Sequence, residues 1–467
     1  MAWTNGVISN MKVKNLNPVL AMCLFFVSIS RFATFAAYPQ GFRAPDTMTY
    51  FTGDFLNFDL VSLTGHASRG WVIPSLFALM PNSASVIFLQ LIISAFVWVY
   101  LLLTLSKVLT DQKIRTFVLI CATLLASTPQ IIQHDTVILA TSITNSFFLA
   151  LLASLLRILY SKQFSFRSFV ILILIATLLI IQKSTFIPIV VTFIFLALYS
   201  KRHQVDLLKK LTVLSLILFS VVYSLIVGSN VNSNWQVSYS GQTLLWQLGG
   251  QSPVATEFAA HLRKKGAPPC LVAEAPYQNL DTSIGKILSD CPDGAEFLKA
   301  GIQREFIDFI FSSPSSVFNL IVLGAGASST NSASNYGGAV SVVPDFFSNF
   351  FFGSTSPNIA ESNVQDQVEG MNLINSGKPF WIFAPIFGWL LLTGLGFFLK
   401  RDRNREELMV YIALLFTLLQ SAFVVVLLPS EWARQTSPYT TGIFVLCMFL
   451  TFKTYAVIFG ARPKHDS

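Results

Sequence analysis

Residues 168–200 read SFVILILIATLLIIQKSTFIPIVVTFIFLALYS, and this stretch decides the fold class. Two continuously apolar runs flank a single charged side chain, Lys183. A helix that is hydrophobic on every side has to be buried in a protein core or in lipid. The pattern therefore predicts a hairpin of two membrane helices with Lys183 at the turn.

The composition of the whole chain extends this prediction. Hydrophobic residues make up 53% of the 467 residues and charged residues 12%, whereas soluble domains carry about 25% charged residues. Too few polar side chains remain to solvate a globule of this size, so lipid is the expected solvent. We expect an all-α polytopic membrane protein with about ten transmembrane helices and a large, α-rich external domain between the seventh and eighth helices.

Apolar runs of about 20 residues mark the individual spans. We predict the spans Pro18–Tyr38, Ala84–Ser106, Thr116–Ile132, Val137–Leu159, Ser168–Gln182, Ser184–Ser200, Leu211–Gly228, Pro379–Lys400, Leu408–Leu428 and Tyr439–Phe452. They divide the chain into an N-terminal membrane module (1–228, with a first external loop at 39–82), an external domain (229–378) and a C-terminal membrane module (379–467). No small-residue cleavage site follows the first run, which favours a span over a cleaved signal peptide.

The charge of the links predicts the orientation. If the N-terminus lies in the cytoplasm, every cytoplasmic link is basic and the longest opposite link is net acidic, as the positive-inside rule requires. We expect a multi-pass protein of the inner or plasma membrane with both termini in the cytoplasm and an active site on the external face. The formal charge of +8 belongs to this asymmetry, and we expect no nucleic-acid partner.

Motifs exclude several kinds of site. The chain has no Walker, GxGxxG, HExxH or CxxC motif, and its five histidines are scattered, so chemistry has to come from carboxylates and basic groups on the external face. Two cysteines, Cys270 and Cys291, lie in the long polar segment. In an oxidising compartment they could form a disulfide that closes a loop of about 20 residues; the alternative is two free thiols.

The first external loop contains the strongest catalytic candidate, Asp46. Its carboxylate would lie near the membrane surface, where it could take a proton from an attacking hydroxyl as a general base, or it could cap a helix. Asp135 and Asp54 are candidates for a second carboxylate that binds the acceptor, and Asp135 could instead bind a metal or cap the next helix. Other polar residues that we expect near this site are Tyr50, His66, His134 and Glu431.

Three basic residues break the positive-inside pattern: Lys183, Arg434 and Arg69. Ionisable groups at membrane depth usually have a partner or a ligand, and Lys and Arg suit a phosphate. We therefore predict that they bind the phosphate of an anionic lipid. The alternatives are a salt bridge between Arg434 and Glu431 and snorkelling of Lys183 to the headgroups. Arg31 lies inside the first span and is expected to face the bundle.

These pieces, in this order, resemble the GT-C superfamily of membrane glycosyltransferases. The matching stretches are Pro45–Tyr50 followed by Arg69–Pro74 for the Asp-containing first loop, Gln133–Thr144 for the link between the third and fourth spans, and Arg434–Tyr439 for the late Arg/Pro segment. The resemblance covers the topology of the whole chain, although its motifs are short. One position departs from it: many members have a second acid beside the first or a Glu in the fourth span, where this chain has Ser142 or Asn145.

The resemblance implies a hexosyl- or pentosyltransferase that moves a single sugar from a polyprenyl-phosphate donor to an acceptor on the external face. Arg434, Lys183 and Arg69 would bind the donor phosphate, and Asp46 would deprotonate the acceptor hydroxyl. Direct displacement would then invert the anomeric centre. The expected acceptor is a surface glycan, with protein or lipid as alternatives, and the cofactor left open is a divalent metal, Mg²⁺ or Mn²⁺.

Other classes make different demands on the sequence. A polysaccharide polymerase or ligase would take a diphosphate-linked glycan and would favour external Arg pairs and a His over a first-loop Asp. A lipid or glycan transporter needs polar residues along a path at mid-depth, whereas the unusual charges here cluster near the external surface. A structural membrane subunit would leave Lys183 and Arg434 without a purpose.

Overall fold

The apolar runs form helices because a bilayer offers the backbone no other hydrogen-bonding partner. The computed structural model describes residues 17–41, 71–163, 165–233, 245–249, 252, 254–273, 275, 289–321, 392–396, 404–427 and 432–460. Within these residues the chain is helical and contains no strand.

The helices are α1 (Pro18–Ala37), α2 (Val72–Ala78), α3 (Ser83–Val108), α4 (Gln112–Ala126), α5 (Pro129–Ile132), α6 (Ala140–Tyr160), α7 (Phe166–Gln182), α8 (Ile187–Ser200), α9 (Leu207–Ser233), α10 (Ala255–Lys264), α11 (Pro269–Val272), α12 (Pro292–Ser312), α13 (Arg405–Leu427) and α14 (Trp432–Gly460). Three turns of 3-10 helix lie between them in the described part of the chain, of which Trp246–Leu248 precedes α10. Gln133–Thr136 precedes α6, and Ser184–Phe186 joins α7 to α8.

Polar side chains set where several helices begin. The Asn82 side chain accepts a hydrogen bond from the backbone N–H of Ser85 at 2.9 Å, and Asp111 does the same for Ile114 at 2.9 Å. Each side chain satisfies one of the N–H groups that the first turn of a helix leaves unpaired. Short links with capping residues therefore make α3 and α4 an antiparallel pair.

Five helices in the described part of the chain are long and apolar enough to cross a membrane: Pro18–Ala37, Ser83–Val108, Ala140–Tyr160, Lys209–Val227 and Arg405–Val424. Two shorter apolar helices, Phe166–Gln182 and Ser184–Ser200, form the hairpin predicted around Lys183. The chain is thus all-helical with several helices suited to a membrane. The total of ten spans stays a prediction, because α4 ends at Ala126 and most of Pro379–Lys400 lies outside the described residues.

Helix α6 forms the centre of the bundle. Of its apolar window 83% is buried, against 28% for α9, and it packs against α3, α7, α8, α13 and α14. On α9 the side chains of Leu214, Leu218 and Leu225 are exposed. Because these leucines recur at helical spacing on a helix of membrane length, they mark α9 as a lipid-facing helix.

A second hydrophobic core lies in the small helical unit formed by α10, α11 and α12. Phe258, Leu271 and Phe306 are buried in it together. Helix α12 (Pro292–Ser312) also contributes Leu298 and Phe309 to this core. This unit contacts the bundle at the end of α13, where the Gln247 amide donates a hydrogen bond to the carbonyl of Val426 at 2.7 Å.

Basic and aromatic side chains meet at the opposite end of the bundle. Arg405 lies over the ring of Tyr199, with its guanidinium 4.5 Å from the ring centroid, and donates a hydrogen bond to the Tyr199 carbonyl at 2.7 Å. The Lys453 ammonium lies 3.5 Å from the ring centroid of Tyr160. These cation–π contacts hold the positive links against the helix ends.

Candidate functional site

The segment that follows α1 packs against the 3-10 turn that precedes α6. Gly41 has φ +58°, and a Cβ there would overlap the side chain of Ile87 and lie 2.5 Å from the Thr136 carbonyl oxygen. Only glycine combines this backbone angle with so close an approach. The chain therefore leaves α1 in contact with the link that contains His134 and Asp135.

Arg31 and Asp135 form a buried ion pair beneath this contact. Arg31 is 2% exposed and Asp135 is 4% exposed, and Arg31 Nε lies 3.9 Å from Asp135 Oδ2. The prediction that Arg31 faces the bundle is confirmed. Its guanidinium also donates to the Ala126 carbonyl at 2.6 Å and to the hydroxyl of Ser94 at 3.3 Å, so one side chain joins α1, α3 and α4.

Neighbouring helices complete the surroundings of Asp135. The Ser142 hydroxyl donates to Asp135 Oδ1 at 2.6 Å. The Gln90 amide donates to the carbonyls of Asp135 and Val137 at 3.1 and 2.8 Å. These bonds fix the 3-10 turn between α3 and α6.

The helix cap proposed for Asp135 is not formed. The N-cap of α6 is Leu139, which makes no side-chain capping bond, while the Asp135 carboxylate faces Arg31 and Ser142. The sequence interpretation missed this because the carboxylate's partner lies on α1, far away in the chain. The geometry favours a structural role for Asp135 over contact with an acceptor, since the carboxylate is closed off from solvent.

Burial controls the ionisation of Asp135. Loss of water raises the pKa of its carboxyl from the ordinary value of 3.8 to about 6, while the Arg31 charge and hydrogen bonds from Ser142 and Ser94 act in the opposite direction. The carboxylate and guanidinium face each other without a direct hydrogen bond, because Arg31 Nε and Asp135 Oδ2 have no such partner among the described residues. Desolvation therefore outweighs attraction at this site.

The divalent metal that the resemblance left open does not fit Asp135. Both carboxylate oxygens are engaged by Ser142 or face Arg31, and the guanidinium repels a second cation at this distance. Among the residues that the structure describes, no group of three or more His, Cys, Asp or Glu side chains could hold a metal ion. We therefore do not assign Asp135 as a metal ligand.

The turn that contains Lys183 packs against α13 and α14. Lys183 is the C-cap of α7, and the Gln420 amide donates to the Thr185 carbonyl at 2.7 Å. The rings of Phe186 and Tyr439 stack at 5.1 Å between centroids. This turn therefore lies beside the part of α14 that follows Arg434 along the chain.

Several predicted site residues cannot be placed. Asp46, Tyr50, Asp54, His66, Arg69 and Glu431 lie outside the described residues, as does the side chain of Arg434, whose backbone belongs to α14. His134 is described and buried, with 3% of its surface exposed, and it belongs to the 3-10 turn against which Gly41 packs.

Cys270 and Cys291 are joined by a disulfide, with an S–S distance of 2.01 Å and a Cα–Cα distance of 5.7 Å, as predicted. The bond connects α11 to the start of α12. Gly294 lies so close that a Cβ there would be 2.5 Å from Cys291 Sγ. The bond holds these two helices together within the small helical unit.

Three residues that sequence reasoning did not single out line these two regions: Gln90, Thr185 and Gln420. The two glutamines carried a usable signal, because each is a lone amide in an apolar helix, and polar groups at membrane depth need partners. Thr185 gave no signal of its own, since threonine is common at helix turns. Comparison of the chain with known protein families, with curated proteins and with solved structures gave no match.

Proposed function

We propose that the chain is a GT-C-type glycosyltransferase that moves one sugar from a polyprenyl-phosphate donor to an acceptor, with a surface glycan as the acceptor. The observation that supports the proposal is that described residues flanking the candidate segments lie at one end of the bundle. The first loop leaves from Gly41, which packs on Thr136, and the Lys183 turn packs on Gln420 and Tyr439.

Further contacts connect these two regions. Trp71, where the first loop re-enters the described chain, interacts through its backbone with Tyr223 of α9. The helix that follows it, α2, packs against α7, whose end carries Lys183. Asp46 follows Gly41 by five residues, a length of chain that reaches at most about 18 Å. The last described residue before Asp46, Gly41, thus lies against Ile87 of α3 and the turn before α6.

The proposed orientation places this end outside the cell. The disulfide between Cys270 and Cys291 belongs to the unit that docks on Val426 at this same end, and disulfides persist in oxidising compartments. Arg405 and Lys453 lie at the other end, as the positive-inside rule expects of a cytoplasmic face. On this basis the termini are cytoplasmic.

In the proposed reaction Asp46 accepts the proton of the acceptor hydroxyl as the oxygen attacks the anomeric carbon of the donor sugar. The C1–O bond to the phosphate breaks, and its electron pair leaves with the polyprenyl phosphate. Lys183 and Arg434 stabilise the charge on that phosphate. Because the leaving phosphate is weakly basic, no strong general acid is required, and a single displacement inverts the anomeric centre.

The test uses the purified chain in nanodiscs with radiolabelled polyprenyl-phosphate sugars and candidate acceptor glycans. We expect Asp46→Asn to lower the transfer rate by at least about 100-fold, since general-base catalysis contributes about 10²–10⁴. Asp206→Asn is the matched control, because Asp206 is an exposed carboxylate that pairs with Lys209 at the basic end of the bundle. Its rate should equal that of the unmodified chain.

Two results would contradict the proposal in different ways. If Asp46→Asn retained full transfer with an unchanged melting temperature, Asp46 would not be the base. If no polyprenyl-phosphate sugar were bound or turned over, the chain would not be a transferase of this type, and a polymerase that takes diphosphate-linked glycans would be tested next.

A further inference from the structure

Three buried polar atoms around the Lys183 turn lack a hydrogen-bond partner. They are Gln182 Oε1, Thr185 Oγ1 and Tyr439 Oη, and the statement holds for the residues that the structure describes. Tyr439 is only 1% exposed. Its hydroxyl faces the side chains of Thr185 and Gln420, but none of these contacts has the geometry of a hydrogen bond.

Such atoms are costly at this position. A buried polar group without a partner costs about 1–3 kcal/mol, and these atoms are buried from the surface. Gln420 shows that pairing is available locally, since its amide bonds the Thr185 carbonyl at 2.7 Å. A cluster of unpaired atoms around one turn, beside a satisfied amide, indicates that a ligand supplies the missing partners.

The chemistry of the cluster defines the ligand. The hydroxyls of Thr185 and Tyr439 can each donate to an acceptor oxygen, and Gln182 Oε1 can accept from a hydroxyl. Lys183 lies between Gln182 and Thr185 in the chain, and Arg434 precedes Tyr439 by five residues on α14, about 7.5 Å along the helix axis. Two hydroxyl donors at a turn that also carries a lysine suit the oxygens of a phosphate.

The walls of the cluster are aromatic. The ring of Tyr439 lies 5.6 Å from that of Phe148 and 5.1 Å from that of Phe186, centroid to centroid. Gly442, one turn further along α14, has no room for a side chain, because a Cβ there would lie 2.5 Å from the Phe148 ring. Close packing on this side fixes the direction in which the Tyr439 hydroxyl points.

We infer that the hydroxyls of Thr185 and Tyr439, together with the side-chain oxygen Oε1 of Gln182, form a binding site for the phosphate headgroup of a lipid. The identification of that lipid as a polyprenyl phosphate rests on the proposed function. The two hydroxyls donate to phosphate oxygens, and Gln182 accepts from a hydroxyl of the headgroup or of its sugar. Tyr439 and Thr185 therefore determine affinity for the phosphorylated form of the lipid.

Binding of a sugar-free polyprenyl phosphate to the full chain in nanodiscs tests this inference without requiring transfer activity. We expect Tyr439→Phe and Thr185→Val each to weaken binding about 10- to 150-fold, the loss of one hydrogen bond to a charged group. Tyr411→Phe is the control, because the Tyr411 hydroxyl already donates to the Thr393 carbonyl at 3.1 Å. Its affinity for the lipid should not change.

A second readout separates binding from folding. Because the Tyr439 hydroxyl has no partner among the described residues, Tyr439→Phe should leave the lipid-free melting temperature unchanged or higher while reducing the rise caused by polyprenyl phosphate. A lower melting temperature without lipid would overturn the inference, because the hydroxyl would then have a partner in the protein.

The remaining arms identify the source of the phosphate. Unphosphorylated polyprenol should bind equally to the variant and the unmodified chain; equal weakening of polyprenol would show that the cluster holds the isoprenoid tail rather than the headgroup and would overturn the inference. Competition by millimolar inorganic phosphate as effective as the lipid would assign the site to a soluble anion instead. Loss of lipid binding in the variants together with no transfer in any assay would support this site and refute the proposed reaction.

Discussion

Replacement of Asp135 by Asn tests whether burial or attraction dominates the ion pair with Arg31. The pKa of the Asp135 carboxyl rises from 3.8 to about 6, so the folded chain binds that proton more tightly than the unfolded chain. Between about pH 4 and pH 6 the folded state holds more protons, and the free energy of unfolding falls as the pH rises. The full difference is about 3 kcal/mol.

Asp135→Asn removes the titration but keeps an oxygen that can accept the hydrogen bond from Ser142, which is 2.6 Å long in the unmodified chain. The variant should therefore lose this part of the pH dependence. At about pH 7.5 it should be as stable as the unmodified chain or more stable, by up to about 3 kcal/mol. Below about pH 3 the two should agree, since Asp135 is then neutral in both the folded and the unfolded chain.

Arg31→Met provides the opposite perturbation. It leaves the carboxylate buried without its cation, which should cost about 3–5 kcal/mol at neutral pH. The loss should shrink at lower pH as the carboxyl binds a proton, and the double variant with Asp135→Asn should recover most of it. The four chains form a double-mutant cycle that isolates the interaction between the two side chains.

The measurement is the free energy of unfolding in mixed micelles, followed by tryptophan fluorescence across this pH range. Dominance of burial is refuted if Asp135→Asn is less stable than the unmodified chain by more than about 1 kcal/mol at neutral pH. That result would mean that the attraction of Arg31 exceeds the cost of burying the carboxylate. The attraction would also dominate if the free energy of unfolding of the unmodified chain rose from about pH 4 to pH 6 and this rise were absent in Asp135→Asn.

Two further predictions concern the backbone and the disulfide. Gly41→Ala should lower the free energy of unfolding by about 2–4 kcal/mol, because a left-handed backbone angle and an overlap at Thr136 act together. Gly266→Ala is its control, since Gly266 has φ +82° with nothing within 4 Å and should lose only the part that comes from the backbone angle. Equal losses of the two variants in thermal melts would contradict the overlap at Thr136. Replacement of Cys270 and Cys291 by Ser should lower the free energy of unfolding by about 3 kcal/mol. It should also abolish the difference in mobility between reduced and non-reduced samples on a gel. A mobility difference that persisted would point to another disulfide bond.

Composition was enough to predict several features of this chain. Low charge and continuous apolar runs predict membrane helices because no other solvent suits them, and the hairpin around Lys183 forms as α7 and α8. Arg31 faces the bundle because a charge inside a span has to avoid lipid. The pairing of Cys270 with Cys291 followed from the presence of only two cysteines in the long polar segment.

Partners across the bundle were not predictable in this way. Within a span almost every position is apolar, so periodicity does not show which face meets which neighbour, and Asp135 seemed as suited to a helix cap as to an ion pair. The structure assigned it to Arg31 and Ser142, on helices far apart in the chain. The surroundings of Tyr439 were equally hidden, because Thr185 and Gln420 reach it only through the packing of α13 on α8 and of Tyr439 on Phe186. The sequence thus determined the solvent of each helix, whereas tertiary packing decided which polar groups meet, because a buried polar group is satisfied by whatever neighbour the packing brings to it.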